Sequence, residues 1–282
     1  MKSLFVALVF MSAAGSALAA PHPFTVHDLV MMDRVSDPQL APNGSQVAFS
    51  VRETDYAANK GITSVWVLNL NVRGAEPQKL ATGNSPGWSP DGKTLYFLSD
   101  KSGTDQLWRV AAAGGTPAQV SALPLAINNY RISPDGSHVL LSMDVFTDCK
   151  DIACTKARLD ARAKDKATGR LYTHLFVRHW NQWMDGRRSQ LFIAALGGDG
   201  KLEGNPIWLS KGLDGDVPSK PFGDNTEYGF APDGKTIYFN TSVRFKCRIK
   251  SFGYPIGCSI RLNSWVAARP ARRLIAGFSR KP

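Results

Sequence analysis

Ser89-Pro90-Asp91-Gly92-Lys93-Thr94-Leu95-Tyr96-Phe97-Leu98 decides the fold, because the chain repeats it. Three further copies open with Ala41-Pro42-Asn43-Gly44, Ser133-Pro134-Asp135-Gly136 and Ala231-Pro232-Asp233-Gly234. Each runs into a short β-type segment: Gln46-Val47-Ala48-Phe49-Ser50, His138-Val139-Leu140-Leu141-Ser142 and Thr236-Ile237-Tyr238-Phe239-Asn240. Proline presets φ at the first turn position, and glycine accepts the positive φ at the last, so the motif is a tight turn feeding a strand. Self-similarity at a period of 20–50 residues marks a repeat architecture. The prediction is an all-β, partial β-propeller of about three to four blades, each a four-stranded antiparallel sheet.

The motif prolines stand 48, 44 and 98 residues apart. The first two gaps suit one blade each, at about 40–45 residues; the third holds 54 residues more. A later strand in each blade locates the excess: Val65-Trp66-Val67-Leu68, Gln106-Leu107-Trp108-Arg109-Val110 and Gln190-Leu191-Phe192-Ile193-Ala194. From motif proline to the aromatic of that strand is 24, 18 and then 58 residues. The third blade therefore carries a long insertion near 146–188, and a smaller one is expected near 197–221. Long insertions in compact domains are functional or disordered. Here Ala157 to Lys166 is rich in helix formers. Tyr172, Phe176, His179, Trp180 and Trp183 fall at helical spacing, which predicts an amphipathic helix. Those aromatics either pack the insertion onto the propeller or line a substrate entrance.

Residues 1–19 read as a secretory signal: Lys2, an apolar run from Leu4 to Met11, and Ala17-Leu18-Ala19 as the cleavage site. The run is too short to span a bilayer. The mature chain is expected to be exported, starting near Ala20, and periplasmic if the source is Gram-negative; no later segment reads as a membrane span. Export permits disulfides, and Cys149 with Cys154 is the candidate pair. No histidine or second cysteine pair stands nearby at metal-ligand spacing. The formal charge of +11 is uneven: 243–282 holds ten Lys or Arg and no acid, leaving 24 basic against 23 acidic residues elsewhere. The charge is therefore no folded nucleic-acid-binding face. Residues 20–242 form the expected propeller, and 243–282 a basic tail of doubtful fold, either authentic or the product of a shifted frame or other truncation near Val243.

Catalytic signatures are sparse. No Gly-x-Ser-x-Gly stretch is assigned as a nucleophile elbow, and there is no Ser-x-x-Lys, His-Glu-x-x-His or phosphate-binding glycine loop. His22, His27, His138, His174 and His179 form no constellation with Ser and Asp that sequence alone justifies. No catalytic residue, metal site or cofactor is assigned.

Phe24-Thr25-Val26-His27-Asp28-Leu29, followed by Val35-Ser36-Asp37-Pro38-Gln39-Leu40, resembles the start of the propeller in the prolyl oligopeptidase family. Arg178-His179-Trp180, Trp183, Asp185-Gly186, Arg188 and Gln190-Leu191-Phe192 resemble its dipeptidyl peptidase 5 and acylaminoacyl peptidase branch, as does Leu213-Asp214-Gly215-Asp216-Val217-Pro218-Ser219-Lys220-Pro221-Phe222. The resemblance covers about 24–242. It implies a propeller that gates peptide access to a C-terminal α/β-hydrolase domain carrying a Ser, Asp and His triad, and the triad positions have no counterpart in these residues. It also implies carboxylates near the insertion that hold the substrate's α-ammonium. Asp185 and Glu227 match by region; surface acidity is the other reading. The implied partners are peptides. The competing expectations are a TolB-like propeller binding proteins in the periplasm and a non-functional truncated product. An unclosed propeller exposes sheet edges, which predicts a marginal or aggregation-prone chain. Oligomeric state stays open.

Overall fold

The computed structural model describes residues 23–172, 177–179, 182–241 and 256–261. The signal segment lies outside them, as do His22, His174, Phe176, Trp180 and most of the basic tail. After a short helix α1 (Val26–Met31), blade 1 is β1 (Arg34–Leu40), β2 (Gln46–Asp55), β3 (Lys60–Asn69) and β4 (Gln78–Thr82). Blade 2 is β5 (Asn84–Trp88), β6 (Thr94–Ser99), β7 (Gln106–Ala111) and β8 (Ala118–Gln119). Blade 3 begins with β9 (Asn129–Ile132) and β10 (His138–Val145). It continues, after helix α2 (Ile152–Lys164) and the strand pair β11 (Arg178–His179) and β12 (Gln182–Trp183), with β13 (Arg188–Leu196) and β14 (Leu202–Trp208). The fourth sheet is β15 (Tyr228–Phe230), β16 (Thr236–Thr241) and β17 (Ile256–Arg261). Every sheet is an antiparallel meander in chain order, with the insertion bridging β10 and β13. The chain is a partial β-propeller.

The four turns are built alike. Gly44, Gly92, Gly136 and Gly234 take φ of 71°, 68°, 72° and 64°, and each N–H donates back to the residue before the proline. The Asp or Asn carbonyl side then accepts an N–H two residues on, as Asp91 does from Lys93 and Asp135 from Ser137. Pro42 lies against Gly92, and Pro90 against Gly136, so successive turns stack on one face of the propeller.

The core lies between blades. Ala48, Val65 and Val67 meet Leu95, Phe97, Trp108 and Val110; Tyr96, Leu98 and Leu107 meet Val139, Leu141, Met143 and Phe192; Leu140, Leu191 and Ile193 meet Tyr228, Ile237 and Phe239. Strand alternation sends Leu140 and Leu141 to opposite neighbours, which is why an unbroken apolar run occurs in β10. The first strands β1, β5 and β9 lie side by side. Cross-blade hydrogen bonds link them: the Trp88 indole donates to Gln39 O, Tyr130 Oη to Ser85 O and Arg131 Nη1 to Tyr228 O. Gly87 leaves room for Tyr130, whose Oη would lie 2.8 Å from a Cβ there.

Buried glutamines hold the outer edges. In blade 3, Gln190 donates to Gly215 O and accepts from the Trp208 indole and Ser210 Oγ. Gln106 does the same work in blade 2, donating to Leu123 O and Leu125 O and accepting from Ser121 Oγ and Leu123 N.

Three expectations need correction. The described residues of the aromatic stripe are not helical: Arg178 pairs with Trp183 and His179 with Gln182 as antiparallel strands. Tyr172 stacks on Trp183 of the second strand, at 5.9 Å between ring centroids. The helix of the insertion starts earlier than Ala157, where Asp151 caps it by accepting from Cys154 N. The stretch 197–221 is not simply an insertion, since it contains β14, the fourth strand of blade 3. Within the tail, Ile256–Arg261 pairs with β16 as a third strand.

Candidate functional site

The second strand of each blade starts at a stacked turn, so its far end opens on the opposite face. There β10 ends at Val145, and the insertion leaves and returns to β13 at Arg188. Its first part is fastened down. Cys149 and Cys154 are bridged, with Cα atoms 5.6 Å apart. The Thr155 hydroxyl accepts from Phe146 N, and Arg158 makes a bidentate pair with Asp148 at 2.9 and 3.0 Å. The guanidinium groups of Arg158 and Arg162 both lie over the Phe146 ring, at 4.5 and 4.6 Å. Arg162 then reaches Asp185 O, tying α2 to the returning chain.

The returning chain carries a charged cluster. Asp185 accepts from Arg187 N and pairs with Arg187 Nε at 2.7 Å. Arg188 faces Asp214 at 3.4 Å and Asp216 at 3.2 Å. Asp216 also accepts from Ser189 N, and its side chain is only 13% exposed. Burial pushes its carboxyl above the ordinary range, against the pull of Ser189 N–H, Lys220 and Arg188. Lys220 pairs with Asp144 at 2.7 Å, and Asn128 donates to the other Asp144 oxygen. Glu227 accepts from Ser219 N and Ser219 Oγ, both at 2.7 Å, and so closes the loop that carries Lys220.

Asp185 and Glu227 thus occupy the elements around the insertion, each with internal partners: Arg187 for one and Ser219 for the other. Among the described residues no hydrogen bond or ion pair joins the two. Outside this cluster, Thr168, Arg170, Tyr172 and Trp183 line a cavity of about 410 Å³. Trp183 is 54% exposed, with the Arg178 guanidinium 5.4 Å from its ring. Of the proposed entrance aromatics, Tyr172 and Trp183 are the ones whose described side chains line this cavity. His138 touches Ser137 Oγ at 2.7 Å, and His27 packs edge-on against Tyr56. The Ser137 hydroxyl in turn donates to Asp135, so the His138 contact belongs to the repeat turn.

The residues missed in the sequence are the basic partners Arg187 and Lys220 and the acids Asp144 and Asp216. The signal for Arg187 was present: Asp185-Gly186-Arg187 has the spacing of an Asx turn, where the carboxylate accepts an N–H two residues on. Asp144 and Lys220 lie 76 residues apart, and only the fold brings them together.

Comparison with known proteins agrees with this architecture. A family model described as "TolB beta propeller domain" matches residues 30–164. Dipeptidyl-peptidase 5 of Porphyromonas endodontalis is 30% identical over 222 residues, covering 75% of this chain and 30% of that protein. The dipeptidyl-peptidase 5 of Porphyromonas gingivalis is 29% identical over 253 residues, covering 84% and 35%. The chain therefore spans about a third of the length of the curated relatives it matches. Among solved structures, the acylaminoacyl peptidase of Pyrococcus horikoshii superposes with a TM-score of 0.54 at 14% identity, over 83% of this chain and 32% of that one, which shows the shared fold. The propeller region of this chain is homologous to the N-terminal part of dipeptidyl peptidase 5, and it shares its fold with acylaminoacyl peptidase.

Proposed function

We propose that this chain is the substrate-admitting propeller portion of an exported serine peptidase of the dipeptidyl or acylaminoacyl type, with its nucleophile in an α/β-hydrolase domain that the described residues do not include. The observation that carries this reading is the 222-residue similarity to dipeptidyl-peptidase 5, which is too long to leave out the third-blade insertion. In this reading the insertion-bearing face meets the peptide, Trp183 and Tyr172 flank its path, and Asp185 with Glu227 hold the free α-ammonium. An α-ammonium would displace Arg187 from Asp185, exchanging one charged hydrogen bond for another.

The test has two parts. Incubated alone with a fluorophosphonate probe, the 282-residue chain stays unlabelled; labelling would place a nucleophilic serine within it and overturn the division of labour. Joined to the hydrolase domain of the Porphyromonas endodontalis enzyme, residues 20–242 support cleavage of free-amino dipeptidyl substrates. Asp185→Asn and Glu227→Gln then raise KM for those substrates while leaving N-acylated ones unchanged. Export is checked by N-terminal sequencing of the secreted chain, which starts near Ala20.

The second reading, a TolB-like module that binds proteins, draws on the family-model match over blades 1 and 2 and the first two strands of blade 3 with α2. It gains if the fusion is inactive yet folded.

A further inference from the structure

The hairpin of β2 and β3 is longer than its neighbour in blade 2: ten residues in each strand against six in β6. Along the row of β2 that faces blade 2, Ala48 and Ser50 are buried, but Arg52, two residues further, is exposed. The end of the hairpin therefore overhangs blade 2, on the same face as the third-blade insertion. Arg34 is the register partner of Arg52 on β1, so two guanidinium-bearing side chains stand side by side. Like charges directly opposite one another destabilise a sheet unless something neutralises them. With Lys60, Thr54, Asn59, Gly61 and Val30 they line a cavity of about 160 Å³.

Nothing among the described residues neutralises this cluster. The head groups of Arg34, Arg52 and Lys60 make no ion pair or hydrogen bond there. Asp55, the register partner of Lys60, turns instead into its own hairpin and accepts from Ala58 N. The Arg52 guanidinium is nevertheless placed: it lies flat on the backbone of Gly61, where a Cβ would overlap it. A planar fork seated on a glycine, beside a second guanidinium and an ammonium, is a geometry suited to an oxyanion. Closure of a ring would not cover it, because closing blades would meet the other face of blade 1, the one bearing Val35, Phe49 and Trp66.

We propose that the overhang of blade 1 is a binding site for a small oxyanion, a phosphate or carboxylate group, held by Arg34, Arg52 and Lys60. Its assignment does not depend on peptidase activity. The test is titration calorimetry of the full 282-residue chain with three probes: inorganic phosphate, N-acetyl-Ala-Ala, and the C-terminal amide of that dipeptide. Saturable binding of phosphate, or of the free acid but not the amide, supports the site, and the pattern tells phosphate from a peptide carboxylate. Arg52→Gln and Arg34→Gln each weaken the bound probe by about tenfold, as expected for removing a charged hydrogen-bonding partner. Gly61→Ala weakens it several-fold at unchanged charge, because it lifts Arg52 off its seat. Arg73→Gln, which removes a charge at the turn end of blade 1, leaves binding unchanged. If Arg52→Gln lowers the melting temperature, Arg34→Gln, which leaves the Gly61 seat intact, supplies the decisive comparison. No saturable binding of any probe, equal binding of acid and amide without phosphate binding, or equal losses from Arg73→Gln and Arg34→Gln would overturn the proposal.

Discussion

Blade 1 and blade 3 are written in nearly the same alphabet and live in different surroundings. Gln46-Val47-Ala48-Phe49-Ser50 and His138-Val139-Leu140-Leu141-Ser142 follow the same turn and form equivalent strands. In blade 3, Leu140 and Leu141 are both fully buried, one against each neighbouring sheet. In blade 1 the face toward blade 2 is covered, while on the other Val35 is 67% and Leu40 62% exposed. Burial in a stacked architecture is a property of neighbours, not of the strand. An uncovered apolar sheet face of this kind is where association starts.

The largest effect that would sharpen this contrast comes from the core. Leu141→Ala in blade 3 should cost about 2–5 kcal/mol in urea unfolding, since it opens a cavity between two sheets. Val35→Ala in blade 1 should stay within about 0.5 kcal/mol. Comparable costs would mean that the outer face of blade 1 is covered in solution. The next effect concerns buried polar groups. Gln190→Leu strands Gly215 O, the Trp208 indole and Ser210 Oγ together, and should cost about 3 kcal/mol. At the corresponding place in blade 1, Ser64 is buried with no partner for its hydroxyl among the described residues, so Ser64→Ala should be neutral or slightly stabilising. A loss at Ser64 equal to that at Gln190 would break the comparison.

The insertion supplies the third. Blade 1 joins its second and third strands by a four-residue turn, 56–59, whereas blade 3 spans 146–187. Cys154→Ser should lower stability by about 2 kcal/mol, the loop-entropy value for so short a bridge, and should speed proteolysis within α2 before the blades are cut. The smallest effect lies in the turns. Asp135 accepts from Ser133 Oγ, Ser137 N and Ser137 Oγ, which lowers its pKa from 3.8 to about 2. A carboxyl depressed in the folded state contributes fully above its unfolded value and loses that contribution as pH falls through its folded value. Stability should therefore decline between about pH 4 and pH 2 through this group, by well under ~1 kcal/mol because it is solvent-exposed. Asp135→Asn, which copies the Asn43 of blade 1, should remove that part of the acid slope in thermal melts. An unchanged slope would assign it to other carboxylates.

The second and third strands were legible because proline and glycine dictate the turn before them and because β-branched and aromatic residues fill them. The first strands were not. Asn84-Ser85-Pro86-Gly87-Trp88 carries a proline and a glycine and reads as loop; it is a strand because it pairs with β6, and its glycine admits Tyr130 from the next blade. Residues 172–183 read as a helix because periodicity alone cannot tell a helical stripe from two short paired strands with an aromatic stacked beside them. Asp185 and Glu227 could be located in the sequence, but their partners Arg187 and Ser219 belong to turns whose geometry only the fold displays.

The cross-blade links have a kinetic consequence. Each sheet is made of consecutive strands, and each link is to an adjacent blade: Trp88 to Gln39, Tyr130 to Ser85, Arg131 to Tyr228. Sequence-local pairing shortens the search that slows most β proteins. A chain leaving the ribosome can complete one blade and dock it before the next has been synthesised, as repeat proteins do. Blade 3 is the exception, because β10 must wait for β13 across the insertion. An early α2, anchored at its first turn by the bridge to Cys149, would shorten that wait by holding part of the intervening chain against Phe146.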